Sequence, residues 1–164
     1  VKRWVDALAR TGYRGAYTLA RVYWLVRHPR THGVFVGVWH AGRVLLLQNS
    51  YKHQLSMPGG GMERDESPAE AGARELHEEV GIRVDPASLR PAFETVGTSE
   101  NKEDHVRFLE LDVDSEGSES TEPRLTIDDR EVTWAAFIDL DTALRLPVSP
   151  LVRAYLEHAR QRRK

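Results

Sequence analysis

Residues 60–82 read GGMERDESPAEAGARELHEEVGI, and the side chains there that share a chemistry are the carboxylates Glu75, Glu78 and Glu79. On a helix advancing about 100° per residue, Glu78 and Glu79 flank Glu75, while Ala69, Ala73, Leu76 and Val80 gather on the nearly opposite side. One side can pack into a core, and the other presents three like charges within about one turn, an arrangement that costs stability unless a cation sits among them. Oxygen donors with no His or Cys pair beside them select a hard divalent ion, Mg²⁺ with Mn²⁺ as the alternative. Pro58-Gly59-Gly60-Gly61, just upstream, lets a backbone or a ligand approach closely. A divalent ion beside a glycine turn suits a substrate with several phosphate charges, and the reaction it suits is hydrolysis of a P–O–P link. Arg74 precedes Glu75 and is placed to hydrogen-bond a neighbouring carboxylate.

The elements that must position these groups are signalled locally. Ser67 is the expected N-cap of a helix over Pro68–Val80, with Pro68 in its first turn, Glu70 completing a capping box and Gly81 as the stop. Upstream, residues 34–38 and 44–47 read as strands joined through His40-Ala41-Gly42, a hairpin-like turn. Downstream, strands are expected at residues 83–84, 92–97, 106–113 and 132–138, with a polar connection over residues 114–123. Ser149-Pro150 opens a second capped helix whose Leu151, Val152, Tyr155, Leu156 and Ala159 form an apolar stripe. The first thirty residues read as helical, with a break at Thr11-Gly12 and an end at Pro29.

Composition bounds the rest. With 164 residues, 40% hydrophobic and 29% charged, the chain has material for one ordinary core. It has no cysteine, which excludes disulfide frameworks, thiolate zinc sites and cysteine nucleophiles, and the cytoplasm is the default compartment. No apolar run is long enough to span a bilayer as a helix.

The spacing Gly60, Glu66, Arg74-Glu75-Leu76, Glu78-Glu79, Gly81-Ile82 resembles the Nudix box at every fixed position. The resemblance implies an α/β fold, an α/β/α sandwich around a mixed β-sheet over residues 31–164, with residues 1–30 as an N-terminal helical extension. It implies that Glu75, Glu78 and Glu79 ligate Mg²⁺, that one carboxylate acts as base, and that Gly60, Glu66 and Arg74 shape the loop and orient the helix. A further acid is expected from the loop before the last core strand, where Asp128, Asp129 and Glu131 precede Trp134; Asp128 is the chosen ligand. The implied activity is a Mg²⁺-dependent pyrophosphohydrolase acting on a nucleoside diphosphate derivative or a nucleoside triphosphate. The alternatives are an RNA 5′-end pyrophosphohydrolase and a non-catalytic nucleotide-binding Nudix module.

Charge is uneven. Residues 1–30 carry seven Lys or Arg against Asp6, leaving −8 for the remainder of a chain whose net charge is −2. In residues 13–26 the polar positions Arg14, Thr18 and Arg21 form a thin stripe on an otherwise apolar helix. Such a helix needs burial on more than one side, which its own domain or a second copy of the chain supplies. The expected partners are therefore a small nucleoside diphosphate-type substrate and a second copy in a homodimer, with nucleic acid the less favoured choice.

Overall fold

The computed structural model describes residues 11–12, 15–20, 23, 30–99, 102–113, 122–127 and 130–163. At the centre of the sheet lies β1 (Arg30–His40), whose apolar run serves two cores at once. Val34, Val36 and Val38 face one side, while Phe35 and Trp39 face the other. A strand covered on both faces needs this nearly continuous hydrophobicity rather than a strict alternation. β2 (Arg43–Asn49) returns through Ala41 and Gly42, both at positive φ (48° and 73°), the geometry a two-residue hairpin with right-handed strand twist demands.

β4 (Arg90–Ser99), β5 (Lys102–Asp112) and β6 (Val132–Asp139) complete a mixed sheet in the order β4-β5-β1-β2-β6. β1 and β5 run parallel over ten pairs from Arg30↔Glu103 to Trp39↔Asp112, and the other neighbours are antiparallel. β1 and β2 pair only next to their turn, at Trp39↔Val44 and His40↔Arg43. The other half of β1 takes a different neighbour, the short β3 (Gly59–Gly61), paired at Gly33↔Gly61, Val34↔Gly60 and Phe35↔Gly59. That splay admits the glycine strand into the sheet.

Helix α1 (Pro68–Val80) covers the Val34 face through Ala71, Leu76 and Val80. Its expected ends are observed: the Ser67–Glu70 capping box is reciprocal, and Gly81 closes the helix in the left-handed region at φ 75°. After the short α2 (Leu140–Ala143), α3 (Pro150–Arg162) covers the opposite face through Val152, Tyr155, Leu156 and Ala159. The result is the expected α/β/α sandwich.

Three local expectations differ from the structure. Residues 83–84 pair with no strand; they lead into a single 3₁₀ turn, Pro86–Ser88, because Asp85 caps that turn at Ala87 N and Pro86 cannot donate to a ladder. Gly59–Gly61 is a strand despite glycine's poor propensity, because β1 offers it a free edge. Thr11 and Gly12 are helical where a break was expected. Residues 114–121 of the polar connection lie outside the described residues, and residues 122–127 have no regular structure, though Leu125 and Ile127 pack on the α1 core.

Candidate active site

α1 crosses β3, and each step along the glycine strand meets one polar side chain of the helix. Gly59 N donates to Glu79 Oε2 at 2.8 Å, and Arg74 Nη2 donates to Gly61 O at 3.0 Å. Between them, a Cβ on Gly60 would run into the Glu75 carboxylate, and one on Gly59 into the Val34 carbonyl. The glycines are thus required by close approach, and the helix is pressed against the strand at the row of carboxylates.

The three glutamates expected on one solvent face do not share one environment. Glu78 is exposed, Glu75 is half-buried, and Glu79 is buried at 6% exposure. Besides Gly59 N, Glu79 accepts, among the described residues, one weak bond, from Asn49 Nδ2 at 3.3 Å. Burial, then the like charges of Glu75 and Glu131, push its pKa up to about 8 from the ordinary 4.5, against the opposing pull of Gly59 N and Asn49. Glu75 is raised by burial too, with Glu78 and Glu131 adding to the effect and Arg74 opposing it.

Arg74 is the organiser of the exposed side. Its guanidinium donates to Glu66 (Nε to Oε1, 2.9 Å; Nη2 to Oε2, 3.1 Å), to Glu75 Oε1 at 2.9 Å and to Glu78 Oε2 at 3.3 Å. A planar fork with five N–H donors can tie loop, strand and helix together in this way, and an ammonium cannot. The Glu66 carboxyl falls below the usual range, first through its bond to Arg74 and then through the backbone N–H of Glu63.

A fourth carboxylate reaches the cluster from outside the motif. Glu131, just before β6, accepts from Tyr51 OH at 3.3 Å and raises the pKa of both Glu75 and Glu79. The Tyr51 hydroxyl is itself raised by burial and then by Glu131 and Glu79, so it stays a neutral donor. Asp128 and Asp129 lie outside the described residues. Among the described residues, no three His, Cys, Asp or Glu side chains converge closely enough, as they stand, to chelate an ion. The guanidinium of Arg74 occupies the interior of the cluster and draws Glu75 and Glu78 to itself.

Asn49 and Tyr51 went unread in the sequence as parts of this site, and Gly59 was read for close approach without its N–H bond to Glu79. Asn49 is the last residue of β2, two positions after its apolar run, and sits at a register shift between Gln48 and Asn49; a polar residue ending such a strand was the available signal. Tyr51 carried none. The N-terminal segment touches the rim, where the Tyr17 and Tyr51 rings lie 5.0 Å apart. Half of the helix expected over residues 13–26 lies outside the described residues; within them, Leu19 is 72% and Tyr23 55% exposed.

A sequence profile of the NUDIX domain matches residues 28–158. A diphosphoinositol polyphosphate phosphohydrolase 2 of Mus musculus is 44% identical over 52 residues, which is 31% of this chain and 29% of that protein. An RNA pyrophosphohydrolase of Bartonella tribocorum is 41% identical over 49 residues, 28% of each chain. The chain thus spans under a third of the length of either relative. The crystal structure of a MutT protein from Methanosarcina mazei superposes with a TM-score of 0.70 at 20% identity, covering 85% of this chain and 99% of that one.

Proposed function

The chain belongs to the Nudix family, and on that premise we propose that it hydrolyses the diphosphate linkage of a nucleoside diphosphate derivative or a nucleoside triphosphate, with Mg²⁺ as the working ion and Mn²⁺ as its substitute. The observation that carries this reading is Glu79, a buried carboxylate given, among the described residues, one short hydrogen bond and no guanidinium, and pushed toward its neutral form. A group left in that condition is stabilised by a cation from outside the chain.

The donor set suits a hard divalent ion, since Glu75, Glu78, Glu79 and Glu131 offer carboxylate oxygen alone. Glu75, Glu78 and Glu79 would hold it, and Glu78, whose side chain is 58% exposed, has the freedom to turn away from Arg74. When bound, the ion would neutralise phosphate oxygens and lower the pKa of a water. Arg74 acts as a positioning residue that fixes Glu75 and the Gly61 turn. Glu131, held by Tyr51, is our choice for the acid from outside the motif. A water oxygen bonds to phosphorus, its proton passes to the Glu131 carboxylate, and the bridging P–O bond breaks to give two phosphate-bearing products.

A panel of nucleoside diphosphate derivatives and triphosphates with Mg²⁺, read as phosphate released after phosphatase coupling, tests this. Turnover of at least one substrate is expected, lowered by about a hundredfold or more in Glu79→Gln. No turnover of any anhydride would sink the proposal. The second reading, an RNA 5′-end pyrophosphohydrolase, draws on the similarity to the Bartonella protein and the basic first thirty residues. It requires triphosphorylated RNA to be preferred over free nucleotides and binding to fall steeply with salt. Exposure of Leu19 and Tyr23 supports a homodimer contact through the N-terminal segment, which light scattering at micromolar concentration tests.

A further inference from the structure

Beyond the Gly61 end of β3 the sheet carries a cavity of about 260 Å³ walled by His32 of β1, Met62, Glu94 and Val96 of β4, and His105 and Arg107 of β5. The contacts along β3 lead to it in order: Glu79 at Gly59, Glu75 at Gly60, Arg74 at Gly61, and then Met62, whose N–H donates to His32 O at 3.2 Å. At about 3.3 Å per strand residue, the cavity begins about 10 Å from the buried carboxylate. A ribose with two phosphates spans that length.

The walls define what fits. The guanidinium on the wall is paired, with Arg107 Nε 3.0 Å from Glu94 Oε1; beside the wall, Glu103 Oε1 takes Arg30 Nε at 3.3 Å and lies 2.7 Å from His105 Nε2. With both guanidinium groups paired, this wall offers a further phosphate no free arginine among the described residues. It offers flat, polarisable surface instead. The His32 and His105 rings stand 5.2 Å apart at 33°, and the Met62 thioether and the 59%-exposed Val96 border them. Rings and a thioether recognise the face of an aromatic ring, while the Glu94–Arg107 pair presents an acceptor and donors to its edge. The volume lies just below the roughly 300 Å³ at which pockets for whole drug-sized ligands begin, so a single heterocycle fills it.

We propose that this cavity, formed by His32, Met62, Val96 and His105 with Glu94 and Arg107 at its edge, takes the nucleobase of the substrate. The inference rests on the anhydride-hydrolase reading and deepens it: with the base there, the diphosphate runs back along β3 to Glu75 and Glu79.

The chain has two methionines, Met62 at this pocket and Met57 in the core at 0% exposure, so ¹³C-methyl methionine spectra contain a reporter and an internal control. The probes are the α,β-methylene diphosphates of adenosine, guanosine, cytidine and uridine, which resist cleavage, with methylenediphosphonate as the base-free control. With at least one of the four, the Met62 methyl should move upfield through the ring current while Met57 stays, and methylenediphosphonate should move neither. Val96→Arg, at an exposed position, should abolish the Met62 response and raise KM for the matching nucleotide about tenfold with kcat unchanged. Met62 unmoved by all four probes, or an unchanged KM in Val96→Arg, overturns the assignment. If nucleotides are hydrolysed while Met62 stays silent, the pocket falls and the hydrolase reading stands. If Met62 responds while no anhydride is cleaved, the hydrolase reading falls and the pocket stands.

Discussion

Glu79 on α1 and Glu110 on β5 are each 6% exposed, yet they lie against opposite helices and keep opposite company. Glu110 accepts from Tyr155 OH at 2.8 Å and from the guanidinium groups of Arg162 and Arg163, while the same hydroxyl receives Trp39 Nε1–H at 2.9 Å. The far side of the sheet therefore supplies its own counter-charge from the end of α3. On the near side, Glu79 has a backbone N–H, a weak amide contact and other carboxylates for neighbours. Equal burial thus accompanies a structural group in one place and, on the reading proposed above, a metal ligand in the other; the distinction lies in whether the described residues provide the cation.

The sharpest way to break that comparison is to neutralise each acid in turn. Glu79→Gln should cost turnover by about a hundredfold or more while leaving the metal-free fold as stable as before or more so, since the carboxyl is already near its neutral form. Glu110→Gln should leave kcat intact and lower stability by about 1–2 kcal/mol, a figure discounted because its Arg162 partner is 43% exposed. Chemical denaturation and steady-state rates on both variants decide it, and a reversed pattern would show that the roles have been exchanged.

Next in size is the loss of the organiser. Arg74→Lys keeps the charge but not the fork, so kcat should fall about 10–100-fold with a smaller change in KM, as for residues that orient metal ligands. Glu131→Gln should fall in the same range, and Asp128→Asn should be mild if Glu131 is the acid from outside the motif. A larger effect in Asp128→Asn than in Glu131→Gln would return the role to Asp128.

The pH dependence tests Glu79 without mutation. In the metal-free chain Glu79 keeps its proton to about pH 8 when folded and loses it near 4.5 when unfolded. Between those values the folded state binds the extra proton, so stability is fully present below about 4.5 and is lost as pH rises through about 8. Melting temperature without metal should therefore decline across that window, and Mg²⁺ should raise it more at pH 8 than at pH 5.5, where a proton competes for the carboxylate. An increment independent of pH would argue that Mg²⁺ binds elsewhere.

The smallest effect concerns the caps that the two covering helices share. Ser67→Ala and Ser149→Ala should each cost about 1 kcal/mol, and the Glu70 arm of the capping box should survive Ser67→Ala because it accepts from the Ser67 backbone N–H, which alanine keeps. Denaturant midpoints check this, and activity at saturating Mg²⁺ should be unaffected in both.

The sequence by itself determined what depends on near neighbours along the chain. Ser67, Pro68, Glu70 and Gly81 place α1 to the residue, and the helical spacing gathers Glu75, Glu78 and Glu79, because caps and helix faces are fixed within three or four positions. The apolar runs of β1 and β2 and the turn between them were legible for the same reason. Tertiary structure decided everything that depends on partners far away. Glu79 is buried by Gly59, 20 positions distant, and Asn49, 30 distant. Tyr51 meets Glu131 across 80 positions, and His32 meets His105 only because β1 and β5 pair in parallel. A helical wheel gives direction around an axis and says nothing of what lies in that direction, so it reads three equivalent glutamates. Desolvation and like-charge repulsion fall off over a few ångströms of space rather than a few residues of chain, and they make one of the three unlike the others.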